Sequence, residues 1–368
     1  MDEARDVADL SESRARLHDA VELVEGMDKA TLLYDSRTKQ YTRIGDTAAQ
    51  ILTLASELPE GTTVGDLMEV LAEQNATTVD AVWEKAGPLF EDLDARGGLI
   101  DSAEPDKDSH AAEGFQLIRR HAMIKNPARI MGPLAKLFVA VPAPVLAVLA
   151  VVAVGAAVVS LSLALPDIWA AGIDQTSFVA AAVALIFTTF LHEAAHAALL
   201  VRYGVPPREA GVGMLFGFLP IAYVDRSDSY RIVERRRRVF VSLAGPLTDL
   251  VLAGAAAFAA QFATGFDQDL LHNLAILLTL IFFINLNPIL PTDGAHVLEA
   301  ATGQINVHSK AFGYVFGRFT RSQRGRISQP VTGRMKAWYI CVVCLALVWL
   351  GLIITMVTLT ALGLGRGV

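Results

Sequence analysis

The sequence predicts a mainly α protein, a multi-pass transmembrane helical bundle of about five spans that follows a small N-terminal α/β domain of winged-helix-like build. Three observations predict it. The 368 residues are 53% hydrophobic with a mean hydropathy of +0.43, too apolar for one uniform water-soluble globule. The apolar residues are unevenly spread: residues 1 to about 125 mix acidic, polar and apolar side chains, whereas the remainder holds several uninterrupted apolar stretches. Those stretches are long enough to cross a hydrocarbon core of about 30 Å, which takes about 20 helical residues.

Residues 1–105 form the predicted cytoplasmic N-terminal domain. Met1–Ala20 is charged and lacks an apolar core, so it does not read as a cleavable signal peptide. Ala30–Tyr34 and Gln40–Ile44 read as two short strands joined by the polar turn Asp35–Lys39. Asp46–Ala55, Thr63–Gln74 and Thr78–Arg96 have helical periodicity. Thr63 and Thr78 stand where a hydroxyl can accept from an unsatisfied first-turn N–H, and Gly97 is a stop signal. Residues 106–136 read as a basic linker, and 137–368 as the membrane domain.

The five spans fall near 140–165, 177–201, 239–263, 270–290 and 338–363. Arg119, Arg120, Lys125, Arg129 and Lys136 precede the first, and Arg202, Arg208, Arg226, Arg231 and Arg235–Arg238 follow the second. A third basic stretch, Lys310–Lys336, precedes the last; its Arg318, Arg321, Arg324 and Arg326 read as a connection meeting anionic lipid. Pro166–Thr176 and Thr264–Asp269 carry no Lys or Arg. Because cytoplasmic loops retain basic residues, the expectation is a cytoplasmic (inner) membrane protein with its N-terminal domain in the cytoplasm. The net charge of −7 comes largely from the acidic N-terminal part and gives no reason to expect nucleic acid. Cys341 and Cys344 lie within the last span, where neither a disulfide framework nor a cysteine metal site is indicated.

Chemistry concentrates at His192-Glu193-Ala194-Ala195-His196, inside the second span. On a helix the two histidines are one turn apart and face the same way, so both can bind one metal while Glu193 stands beside it as a base. Ionisable groups at membrane depth are costly and usually functional. A zinc site still needs a third protein ligand. The fourth span ends in Asn285-Leu286-Asn287-Pro288-Ile289-Leu290-Pro291-Thr292-Asp293-Gly294, where two prolines predict the helix's end by about Asn287. Asp293 is the natural carboxylate to close the site, and His296 is a rival. His272 and His308 have no partner spacing.

These residues resemble the site-2 protease family of M50-type intramembrane zinc metalloproteases, which pairs HExxH on one transmembrane helix with NxxPxxxxDG near the end of a later one. Asn285, Pro288, Asp293 and Gly294 fall on the second pattern, and Ser242-Leu243-Ala244-Gly245-Pro246-Leu247 is similar to the family's AGP segment. Where the family often continues with asparagine, this chain has Asp249, read as a residue facing the bundle. The resemblance covers about residues 177–300 and implies a three-helix core, Zn2+ held by His192, His196 and Asp293, Glu193 as the base, and Asn285 as a donor to substrate or to the developing oxyanion.

Between the motifs, Gly211–Pro220 is apolar but too short and glycine-rich to span, and reads as extended chain or a hairpin. The resemblance implies a β-like segment whose open edge, at Gly213, Leu215 and Gly217, takes up substrate by strand addition. The stretch YDSRTKQYTRIGDTAAQIL in turn resembles the PqqD-type peptide-recognition domain. That resemblance implies binding of a leader peptide along Gln40, Tyr41, Thr42 and Arg43. The expected function is removal of the leader of a ribosomally synthesised, modified peptide near the cytoplasmic face. The alternatives are cleavage of a membrane-anchored regulator such as an anti-sigma factor, and, from another class, a non-catalytic peptide receptor or immunity protein. Glu193 argues against the last, since a scaffold has no need of a base. A zinc transporter is disfavoured because the polar groups lie at one depth.

Overall fold

A computed structural model of the chain describes residues 7–102, 118–125, 127, 139–215, 219–288, 292–305, 307–316 and 333–362. The chain divides into two compact units, Met1–Gln116 and Leu117–Val368.

The N-terminal unit holds α1 (Val7–Glu12), β1 (Val21–Glu25), β2 (Thr31–Asp35), β3 (Gln40–Arg43), α2 (Asp46–Glu57), α3 (Val64–Gln74) and α4 (Val79–Ala95). The expected two-stranded hairpin is a three-stranded antiparallel sheet in the order β1-β2-β3, because Val21–Glu25 pairs along the full length of β2. The turn between β2 and β3 is set by Asp35, whose carboxylate accepts from the Arg37 backbone N–H at 2.8 Å. Tyr34 and Tyr41 face each other across the ladder with ring centroids 4.6 Å apart. Thr63 and Thr78 are the N-caps of α3 and α4. Thr63 and Asp66 exchange hydrogen bonds in a complete capping box. Gly97 follows α4 with φ +64°, a conformation that costs glycine least. Leu10, Leu52, Val64, Leu67, Met68, Phe90 and Leu99 fill one apolar core.

The second unit opens with a correction, since the stretch read as linker contributes strand β4 (Ile118–Lys125). Among the described residues, five helices are long and apolar enough to cross a membrane. They are α5 (Ala143–Ala171), α6 (Gln175–Arg202), α7 (Arg235–Ala260), α8 (Phe266–Asn285) and, after α9 (Asp293–Thr302) and α10 (Val307–Phe316), α11 (Gly333–Leu362). Helix α7 packs against α5, α6, α8 and α9 and is the most buried span. Small residues permit this: a Cβ on Gly254 would collide with the Ala157 backbone of α5, so glycine lets the two helices touch. The Trp349 indole of α11 donates to the Phe283 carbonyl near the end of α8, at 2.8 Å. Cys341 and Cys344 are unpaired and exposed on α11.

Between α6 and α7 the apolar glycine-rich segment is a hairpin, β5 (Glu209–Leu215) and β6 (Leu219–Val224), with Gly213 opposite Ile221 and Leu215 opposite Leu219. Its edge is not where the resemblance implied. Strand order is β4-β5-β6, so Gly213 and Leu215 lie on the central strand, paired with Arg120 and Ile118 on their other side. An extended substrate has no access to a strand flanked on both sides, and the sheet's edges are β4 and β6. Gly217 and the basic residues Arg318 to Arg326 lie outside the described residues.

Candidate active site

Helix α6 begins where the Asp174 carboxylate accepts from the Ser177 N–H at 2.8 Å. Seventeen apolar-rich residues on, the helix turns His192 and His196 inward, both buried. Their rings are held from behind. The Nδ1 of His192 lies 2.8 Å from Asp249 Oδ2 of α7, and the Nδ1 of His196 lies 2.6 Å from the Val241 carbonyl. With Nδ1 donating to its acceptor, each imidazole turns Nε2 toward the other ring as the nitrogen available to a metal.

Asp293 arrives from the opposite side. Helix α8 ends at Asn285 as the prolines dictate, and α9 restarts at Asp293 with Gly294 pressed against the Leu286 carbonyl, where any Cβ would collide. Asp293 Oδ2 thereby lies 3.0 Å from His192 Nε2 and 3.4 Å from His196 Nε2, and the two Nε2 atoms are 3.3 Å apart. A tetrahedral zinc ion with bonds of about 2.0–2.1 Å sets ligand-to-ligand edges of roughly 3.3–3.4 Å, so the three donors fit one. These are the residues that can hold a metal among those described. The space is kept by Gly245 of the AGP segment: a Cβ there would fall within clash range of both Nε2 atoms, inside the cradle they form. His296, the rival ligand, stands outside it, half-exposed, with Nδ1 3.5 Å from Glu299.

The cluster's charge is balanced by Arg226, just beyond β6, whose Nη1 bonds Asp293 Oδ1. Burial would push the Asp293 carboxyl up, but Arg226 foremost, then the two histidines, hold it well below the usual carboxylate range. Glu193 is placed by the same strand exit, its Oε2 accepting from the Val224 N–H at 3.0 Å. Asn285 does not stand free: its side-chain amide donates to Asp249 Oδ2 at 3.2 Å, giving a buried chain from Asn285 through Asp249 to His192.

The structure thus gathers His192, Glu193, His196, Asp293 and Asn285 as the motifs suggested. It leaves Gly213 and Leu215 in the neighbouring sheet, and Gln40, Tyr41, Thr42 and Arg43 on β3 of the other unit. Sequence reasoning does not single out Asp249 or Arg226 as parts of the site. Asp249 carries a signal, a carboxylate one turn past a proline in an apolar helix; Arg226 reads as one more basic loop residue.

The model of Peptidase family M50 matches residues 180–269, which takes in the two histidines, Gly245 and Asp249 and ends before Asp293. An uncharacterized protein of Methanocaldococcus jannaschii is 26% identical over 79 residues, 22% of this chain and 22% of that relative. No solved structure matches the chain. With five membrane-length apolar helices and a peptidase match laid over the His192-Glu193-His196 turn, the chain has the makings of a membrane metalloprotease, and the metal such peptidases typically carry is zinc.

Proposed function

We propose that the protein is an intramembrane zinc endopeptidase that cuts a peptide bond near the cytoplasmic face of the inner membrane and removes the leader of a ribosomally made, modified peptide. The observation that carries the hydrolytic part is the triangle of His192 Nε2, His196 Nε2 and Asp293 Oδ2, with edges of 3.0–3.4 Å, beside Glu193. When bound there, zinc would polarise the scissile carbonyl and lower the pKa of an attacking water. The protein's own groups do the rest. Asp249 and the Val241 carbonyl keep both imidazoles oriented with Nε2 toward the metal position. Asn285 steadies Asp249 with one of its two amide N–H groups. Glu193, aimed by the Val224 N–H, accepts the proton of the attacking water and passes it to the leaving amine.

The substrate class draws support from β3, which lies at the edge of its sheet with Gln40, Tyr41, Thr42 and Arg43 in order, the arrangement by which a peptide adds as a further strand, while Leu23 and Leu33 of the same sheet pack on the helical core. The family match covers residues 180–269 and leaves the N-terminal unit to this argument alone. In the membrane unit the corresponding edges are β4 and β6.

The test is incubation of the purified protein and its Glu193→Gln variant with precursor peptides encoded beside its gene, followed by mass spectrometry. A discrete cut by the unmodified enzyme, slowed about 10²–10⁴-fold or more by the substitution while zinc stays bound, is expected of a general base. Precursors left whole by both proteins, with a membrane-anchored anti-sigma factor cut instead, would transfer the activity to regulators. Binding without cleavage of either would mark a receptor.

A further inference from the structure

The exit of β6 brings a cation against the metal-ligand cluster. Val224 holds Glu193 through its N–H, and two residues later the largely buried Arg226 turns its guanidinium onto Asp293. Nη1 bonds Asp293 Oδ1, leaving Oδ2 toward the two Nε2 atoms. The same Nη1 is 3.1 Å from His196 Nε2 and 3.5 Å from its Nδ1. One guanidinium nitrogen thus lies within reach of both ring nitrogens of His196. Arg226 therefore borders the ligand triangle. Among the described residues its polar contacts all run through Nη1, so the other guanidinium N–H groups are left to donate. Asn285, the donor the family resemblance offers for this purpose, gives one of its two amide N–H groups to Asp249.

We propose that Arg226 is a catalytic residue, the electrophile that holds the oxyanion of the tetrahedral intermediate. The proposal rests on the peptidase reading and deepens it. Water oxygen bonds the scissile carbon, the carbonyl π pair moves onto its oxygen, and the water proton goes to Glu193. Arg226 donates to that oxyanion, which has a full charge only in the intermediate, so the interaction strengthens as the reaction proceeds. Collapse re-forms the C=O bond and breaks the C–N bond, and the proton on Glu193 goes to the departing amine. The fixed fork of arginine can serve Asp293 and the oxyanion together, which the compact ammonium of lysine cannot.

The test compares zinc-loaded wild type, Arg226→Lys and Arg226→Met for bound zinc, cleavage of labelled β-casein in detergent, and affinity for a phosphinic peptide, whose tetrahedral anion mimics the intermediate. Lysine keeps a cation beside Asp293 and so guards against misfolding. Expected are unchanged zinc content, unchanged casein affinity in a Glu193→Gln background, and phosphinic-peptide affinity and kcat that fall together, by about 10²–10³-fold for methionine and less for lysine. Zinc lost in step with the rate, or phosphinic-peptide affinity untouched in both variants, would overturn the proposal and leave Arg226 a buttress for Asp293. Failure of the peptidase reading differs: wild type and Glu193→Gln would be equally inert toward casein, while the phosphinic-peptide affinities still decide Arg226.

Discussion

The two units of this chain are built in opposite senses. In the N-terminal unit the large apolar side chains are inside, with Leu67, Met68 and Phe90 all at 0% exposure. In the membrane unit Val151, Leu163 and Phe262 are 72%, 74% and 77% exposed, whereas His196, Asp249 and Asp293 are at 0%, 2% and 3%. Removing apolar area from water, at about 25 cal/mol per Å², can organise the first. It cannot organise the second, since lipid tails are as apolar as leucine and reward no such burial. There the inward-facing specificity comes from close contacts such as Gly254 on Ala157 and from a polar cluster in which the ring nitrogens and carboxylates have partners.

That contrast makes substitutions separable. Phe90→Ala should destabilise the N-terminal unit by about 3–5 kcal/mol, as truncation of a fully buried aromatic does, and leave the zinc content of the full-length protein unchanged; chemical denaturation followed by limited proteolysis reads the first, and metal analysis the second. Zinc loss in that variant would mean that the units are not independent. Asp249→Asn should do the reverse. It keeps the fold but removes the charge behind His192, and zinc affinity measured by chelator competition should fall about 10–100-fold. A neutral result would reduce Asp249 to packing.

Much of this is legible in the sequence because it is local. The HExxH spacing dictates where the imidazoles lie on a helix, apolar length gives the five spans, and Thr63 and Thr78 announce their helices by chemistry that works within three residues. What is not legible depends on contacts far apart in the chain. Strand β4 is hidden because Ile118–Lys125 resembles a basic approach to a membrane, and only pairing with β5, roughly ninety residues later, makes it a strand. The same distant partner converts Gly213 and Leu215 from an edge into a centre. Strand β1 escapes notice because Val-Glu-Leu-Val-Glu alternates weakly. Asp249 and Arg226 become site residues through the packing of α7 on α6 and the exit angle of β6, neither of which has a sequence signature.

The most direct measurement is zinc per chain, by elemental mass spectrometry on the purified wild type and Gly245→Ala side by side. Alanine favours a helix interior by about 0.8–1.0 kcal/mol over glycine, so the variant's backbone gains, and the added Cβ acts mainly by entering the cradle of the two Nε2 atoms. One zinc per wild-type chain and almost none in Gly245→Ala, with helix content equal by circular dichroism, is the expected result. A wild type that takes up no zinc, or a variant that holds it equally well, would contradict a metal centre built from His192, His196 and Asp293.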